Sequence, residues 1–222
     1  MTTVECRPAS QRFLLRAVPW HTYLLLRNLP ENEHVRMTYD RGDLEMMSPS
    51  KLHEQLARFI ERLIHAWTEE LSISIQSCGS MTFQREDVER GLEPDNCYYV
   101  QHESWMRGKA EVDFAVDPPP DLATEVEITS TVLEKVPIYA AFRVPELWRV
   151  NARTVQVYEL TAGGQYVPRP SSLAFPDLPL IEVERLLRDF GTADETALAK
   201  SFRESIRTTI LPRLKRDADA AS

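Results

Sequence analysis

From Leu52 onward the apolar residues Leu56, Phe59, Ile60, Leu63, Ile64 and Trp67 recur at spacings of three and four. That is the period of one helical face, so the spacing predicts a helix running to about Leu71. Ser48-Pro49-Ser50 precedes it with turn chemistry and an N-cap candidate. Upstream, apolar residues 35–39 and 44–47 flank the turn Asp40-Arg41-Gly42-Asp43, the pattern of a β-hairpin. Residues 19–26 read as a short helix ending near Pro30, and residues 1–18 as an arm. Residues 73–84 mix β-branched and polar positions and predict one or two strands, followed by a charged loop over 85–91. Strands are expected at 95–100, 122–128, 145–150 and 154–160, with a loop at 102–120. Residues 131–143 read as a helix in which Pro137 must either sit in the first turn or kink the chain. Gly163-Gly164 turns the chain toward Tyr166-Val167, and residues 192–215 form a charged helical tail that frays toward Ser222. This order of elements indicates α/β, bordering on α+β. It divides the chain into an arm (1–18), a main domain (19–190) and a C-terminal helical extension (191–222).

Composition narrows the class. Of 222 residues 43% are hydrophobic and 27% charged, which supports a sizeable core and excludes a disordered chain. No apolar run approaches the roughly 18 residues of a spanning helix, and the N-terminus lacks a secretory pattern. Cys6, Cys78 and Cys97 are odd in number and far apart, so they offer neither a disulfide framework nor zinc spacing. A cytoplasmic protein is the expectation. With 34 acids against 26 bases, the net charge of −8 argues at first against a nucleic-acid binder.

The chemistry concentrates in Leu122-Ala-Thr-Glu-Val-Glu-Ile128. On a strand, Leu122, Thr124, Val126 and Ile128 share one face, and Ala123, Glu125, Glu127 and Thr129 the other. Two carboxylates on one face, roughly 6–7 Å apart at the backbone, repel unless solvated, protonated or bridged by a cation. The same pattern also suits an exposed face of an antiparallel strand. Pro94-Asp95 adds an aspartate at the start of the preceding strand. An aspartate and a glutamate from neighbouring strands suit a hard cation such as Mg²⁺, which takes one or two carboxylates plus water and phosphate oxygens.

Four stretches then resemble a known family: Tyr39-Asp-Arg-Gly-Asp-Leu-Glu-Met-Met-Ser-Pro49, Leu92-Glu-Pro-Asp-Asn-Cys-Tyr-Tyr-Val100, Asp117-Pro-Pro-Pro-Asp-Leu-Ala-Thr-Glu-Val-Glu-Ile-Thr-Ser130 and Lys135-Val-Pro-Ile-Tyr-Ala-Ala-Phe-Arg-Val-Pro-Glu-Leu-Trp148. In this order, across residues 20–187, the chain resembles the bacterial Uma-two family of restriction-endonuclease-like proteins, in the PD-(D/E)XK nuclease superfamily. The resemblance implies a central mixed sheet flanked by helices and a Mg²⁺- or Mn²⁺-dependent DNA endonuclease. Asp95 and Glu125 match the signature acids, with Glu127 a further metal-ligand candidate. The superfamily lysine is expected two residues after Glu125, where this chain has Glu127. The family often carries its lysine on the following helix, and Lys135 occupies that place. On such a helix Lys135 flanks a stripe of Val132, Val136 and Tyr139. His53 and Glu54, opening the long helix, are accessory candidates. A homodimer would suit an enzyme that cuts both strands.

The missing strand lysine keeps an alternative open, a catalytically weakened nuclease fold that serves as a binding or assembly module. A metal-dependent hydrolase with a non-nucleic substrate is a third reading. The acidic balance is itself local. Glu111, Asp113, Asp117, Asp121, Glu125 and Glu127 account for six of the 34 acids, and without them 28 acids face 26 bases. The tail carries Lys200, Arg203, Arg207, Arg213, Lys215 and Arg216, a candidate for DNA phosphates or a solvated helix.

Overall fold

The computed structural model describes residues 11–128 and 132–221. Cys6, Thr129, Thr131 and Ser222 lie outside the described residues, with the parts of the arm, the strand, the helix and the tail that they belong to. The chain is mixed α/β, with two sheets flanked by helices.

The first sheet has five antiparallel strands: β1 (Gln11–Leu15), β2 (Arg36–Asp40), β3 (Asp43–Ser48), β5 (Phe83–Arg85) and β6 (Arg90–Leu92), in the order β1-β3-β2-β6-β5. The expected hairpin is β2–β3, closed by Asp40 opposite Asp43. Two of the sheet's strands arise where the sequence suggested none. β1, inside the expected arm, is an edge strand against β3, and β6 forms within the expected charged loop. Aromatic packing fastens the short helix α1 (Trp20–Arg27) to this sheet: Tyr23 lies on Tyr39, with the rings stacked 4.9 Å apart. Trp20 completes the cluster edge-on to Tyr39.

Gly91 is what lets this cluster close. It pairs with Tyr39 in the sheet, and a Cβ there would lie 2.2 Å from the Tyr23 hydroxyl oxygen and 2.7 Å from its Cζ. Tyr23 is fully buried and cannot swing away. Gly91→Ala is therefore expected to cost about 2 kcal/mol through overpacking. A urea titration checks this, and an unchanged midpoint would show that the aromatic cluster has slack.

The second sheet has six strands: β4 (Gln76–Gly79), β7 (Asn96–Tyr99), β8 (Leu122–Val126), β9 (Glu146–Val150), β10 (Val155–Leu160) and β11 (Tyr166–Arg169), in the order β11-β10-β9-β8-β7-β4. It is mixed, since β8 and β9 run parallel while every other pair is antiparallel. One face carries α2 (Lys51–Leu71), started by Ser50, whose hydroxyl accepts the His53 N–H at 3.3 Å. The predicted stripe is the buried one: Leu56, Phe59, Ile60, Leu63, Ile64 and Trp67 meet Tyr98, Leu122, Val126 and Trp148 in a single core. Trp67 and Trp148 are thus core residues and present no ring to a nucleobase.

Further helices complete the structure around this core. α5 (Leu180–Asp189), which the sequence pattern did not bring out, adds Val183, Leu186 and Leu187 to it. The tail forms α6 (Glu195–Ser205), a π-helical turn (Ile206–Ile210) and α7 (Leu211–Ala221). Leu198, Phe202 and Ile206 pack against α2. Arg203 and Arg207 of the tail pair with Glu69 and Glu70, so two of its six cations already have anionic partners.

On the other sheet face, Cys97, Ala123, Ile138, Tyr139, Phe142 and Leu147 form a second core. Here α4 is shorter than expected, Val136–Ala141, with Pro137 in its first turn and Lys135 at its N-cap. Val132 stands outside this helix and is 56% exposed, so the stripe that was to include it begins at Val136. A single short helix, α3 (Glu103–Met106), interrupts the expected 102–120 loop. Among the described residues no helix is long and apolar enough to cross a membrane.

Candidate active site

β8 lies inside the six-stranded sheet, hydrogen-bonded on both edges and buried along its whole length. That removes the exposed-strand reading of Glu125. Alternation sends Leu122 and Val126 under α2, while Ala123 and Glu125 face α4. Glu125 thus arrives as a carboxylate in an apolar layer, where it must find partners. The segment of α4 supplies both. Lys135 Nζ donates to Glu125 Oε2 at 2.7 Å, and the Tyr139 hydroxyl donates a short hydrogen bond to Oε1.

Asp95 is the residue preceding β7. Its N–H donates to Thr124 O at 3.1 Å, and its Oδ2 accepts the Val126 N–H at 2.7 Å. These bonds lock Asp95 astride Glu125 in the neighbouring strand. The next residue, Asn96, donates its amide to Ala57 O at 3.1 Å and so ties β7 to α2. From the first turn of α2, His53 Nε2 reaches Asp95 Oδ2 at 3.2 Å. His53 Nδ1 is buried without a hydrogen-bond partner, with Glu54 3.9 Å away. Asp95, Glu125, Lys135 and His53 are therefore brought together.

Two expected members stand apart. Glu127 is turned to Arg149, whose Nε and Nη2 grip its two oxygens at 2.5 and 3.1 Å. Glu54 faces Arg36, 3.7 Å away, rather than either site carboxylate. Among the described residues no three of His, Cys, Asp and Glu are grouped to hold a metal ion.

The protonation energetics are coupled. Burial pushes Glu125 up, and the negative charge of Asp95 adds to it; the Lys135 ammonium pulls it back without winning, so Glu125 stays above the ordinary carboxylate range. Burial also opposes ionisation of Asp95, but the His53 contact, the Lys135 charge and the Val126 N–H outweigh it and hold Asp95 low. Burial disfavours the Lys135 ammonium, and the charges of Glu125 and Asp95 more than restore it. Tyr139 stays a neutral phenol, raised first by burial and then by Glu125. Two carboxylates thus share one ammonium.

That imbalance is a test of whether the site suits a divalent cation. Adjacent strands present two buried oxygen donors of hard character, and one of them is pushed toward protonation by burial and, further, by the other's charge. A cation would relieve this, and Mg²⁺ needs only one or two protein carboxylates. The donor set fits.

Sequence reasoning missed Tyr139 as a polar partner. It sits on the apolar stripe of α4, and only its hydroxyl distinguishes it from core. The one available signal was the buried phenol's need for an acceptor, and Glu125 meets that need.

This chain has relatives among known proteins. The sequence model of a family named Uma2, described as "Putative restriction endonuclease", matches residues 20–195. A solved structure from Anabaena variabilis ATCC 29413, described as "a putative nuclease belonging to DUF820", is similar to this chain at 14% identity with a TM-score of 0.47. The similarity covers 84% of this chain and 99% of that one. No curated protein matches the sequence.

Proposed function

The chain belongs to the Uma2 family, and from that premise we propose that it is a metal-dependent endonuclease that hydrolyses phosphodiester bonds in DNA. The observation that carries the proposal is Lys135. It starts α4 rather than sitting on β8, yet its Nζ meets the Glu125 carboxylate at 2.7 Å. The site therefore has the acid, acid and ammonium of the superfamily signature, assembled from a different chain position.

Asp95 and Glu125 would hold Mg²⁺ or Mn²⁺. Such an ion, when bound, polarises a phosphoryl oxygen and makes bound water more acidic. The remaining work falls to the protein. Lys135 supplies positive charge where the phosphate becomes more negative, in a dry setting where such charge is worth most. Tyr139 fixes one oxygen of Glu125 and leaves the other to Lys135. Val126 N–H and His53 fix Asp95 from two sides. Arg149 takes Glu127 out of the set, so a third carboxylate does not compete for Lys135.

Relaxation of supercoiled plasmid tests this. The protein is expected to nick plasmid with Mg²⁺ or Mn²⁺ and to stop with EDTA. Asp95→Ala is expected to lower the rate about a hundredfold or more, since it removes a metal ligand outright rather than one of its supports. Equal nicking by the two proteins would sink the assignment. DNA binding without cleavage by the unmodified protein would favour a binding module.

A further inference from the structure

We propose that Glu45 is a positioning residue for Lys135, and that Arg12 is what allows Glu45 to play that role. The proposal rests on the reading of Lys135 as the site's ammonium. Glu45 lies on β3, in the other sheet, yet it is almost wholly buried against the segment that leads into α4. Its Oε2 accepts the backbone N–H groups of Val132, at 3.0 Å, and of Leu133, at 2.7 Å. Its Oε1 is ion-paired with Arg12 Nη1 on β1. Lys135 follows Leu133 by two residues.

The segment needs such an anchor. Val132–Glu134 belongs to no strand or helix. Val132 is mostly exposed and contributes little packing, and α4 starts without a side-chain cap. The carboxylate of Glu45 fixes two successive N–H groups with one oxygen, and this sets the rotation at which the chain enters α4. Placement of the Lys135 backbone, and hence the reach of its ammonium toward Glu125, follows from that.

Arg12 solves a specificity problem. An unpaired carboxylate against the segment leading to Lys135 would add a negative charge competing with Glu125 for the ammonium. Arg12 is close enough for its charge to be felt at Lys135, and it neutralises Glu45 in place. Glu45 can then hold the backbone without capturing the side chain. Burying a carboxylate is costly unless it is paired and hydrogen-bonded, and here every lone pair in use serves the clamp.

Amine labelling of the metal-free, DNA-free full chain with an acetylating reagent, read residue by residue by mass spectrometry, tests the clamp without relying on activity. In the unmodified protein Lys135 is shielded by its ion pair and should react slowly, while Lys51 reacts freely. In Glu45→Ala, labelling of Lys135 is expected to rise about tenfold, the scale of a local opening made easier by the loss of one anchor. Lys51 and Lys109 should not change. Glu45→Gln, which keeps an acceptor for the two N–H groups, should restore most of the protection. Should Glu45→Ala fail to fold, Glu45→Asp, one methylene too short to reach both amides, should show the same selective rise. Unchanged Lys135 labelling, or a rise shared by every lysine, would overturn the proposal. Cleavage is an independent readout. If the unmodified protein nicks DNA, Glu45→Ala should lower kcat with KM for DNA unchanged, and should cost nothing more in a Lys135→Met background. If it does not nick DNA, the nuclease reading fails and the labelling result still decides the clamp.

Discussion

Lys135→Met is expected to lower the rate of Mg²⁺-dependent plasmid nicking by about a thousandfold, the upper range for removing one preorganised charge at a reacting centre. Two losses combine. The ammonium no longer faces the phosphate, and Glu125 changes state. Burial and the Asp95 charge already push the Glu125 carboxyl up, with Lys135 the main restraint. Without it Glu125 is pushed further toward taking a proton and becomes a poorer cation ligand. The same proton spares the fold, because it removes an unpaired buried charge, so circular dichroism should stay native. Lys135→Arg should not rescue: a planar fork does not replace a compact point charge in a narrow site lined by Tyr139 and Val136. Single-turnover nicking is the measurement. A rate within tenfold of the unmodified protein would show that Lys135 is a structural partner of Glu125 and nothing more.

Glu146→Ala is expected to destabilise the protein by about 4 kcal/mol, a large share of a typical domain's stability. Glu146 opens β9 and is completely buried. One oxygen accepts Trp148 Nε1–H, and the other accepts the N–H groups of Leu173 and Ala174 at 2.8 and 2.7 Å. The side chain thus holds the segment that places Phe175 on Trp148. Alanine leaves three donors without acceptors, those of the buried Trp148 and Ala174 and that of the half-buried Leu173. The pH dependence has a defined sign. Burial raises Glu146 above the ordinary glutamate value of 4.5, and its hydrogen bonds only partly offset that. The folded state therefore binds this proton more tightly than the unfolded state. The associated stability is complete below about 4.5 and is lost as pH rises through the higher folded value. Urea midpoints measured across that window should fall for the unmodified protein, and the Glu146 contribution to this slope should vanish in the alanine variant.

Much of this was legible in the sequence for a physical reason. Periodic elements with one buried face declare themselves, as α2 does through Leu56 to Trp67 and β8 through its alternation. Asp95 and Glu125 were nameable because a Pro-Asp pair and a strand acid each leave a local mark, whereas Lys135 came only from the family resemblance, since a lysine at the rim of a helix carries no mark of its own. What stayed hidden depends on partners distant in sequence. β1 and β6 are strands of few residues whose stability comes from β3, β2 and β5, and not from their own composition. Glu127 shares a face with Glu125, yet Arg149 on β9, 22 residues on, decides its role. Glu45 reads as an ordinary hairpin residue until Val132 and Leu133, more than 80 residues away, are seen against it. The expected length of α4 failed because periodicity cannot show where a Pro-containing helix begins; Lys135 became its cap instead of its second turn.

The parallel pairing of β8 with β9 carries one more consequence. A parallel neighbour cannot be reached by a hairpin, so a return path must separate β8 from β9, and α4 lies on it. The site's ammonium rides on that return path, whereas its carboxylates belong to the ladder or lean on it. Asp95 and Glu125 can leave their places only if the sheet opens. Lys135 can leave when a few bonds of the crossover break, with the sheet intact. The two halves of the site thus have separate thermal lifetimes, and if the protein cleaves DNA as proposed, nicking should cease on gentle warming while its strands are still paired.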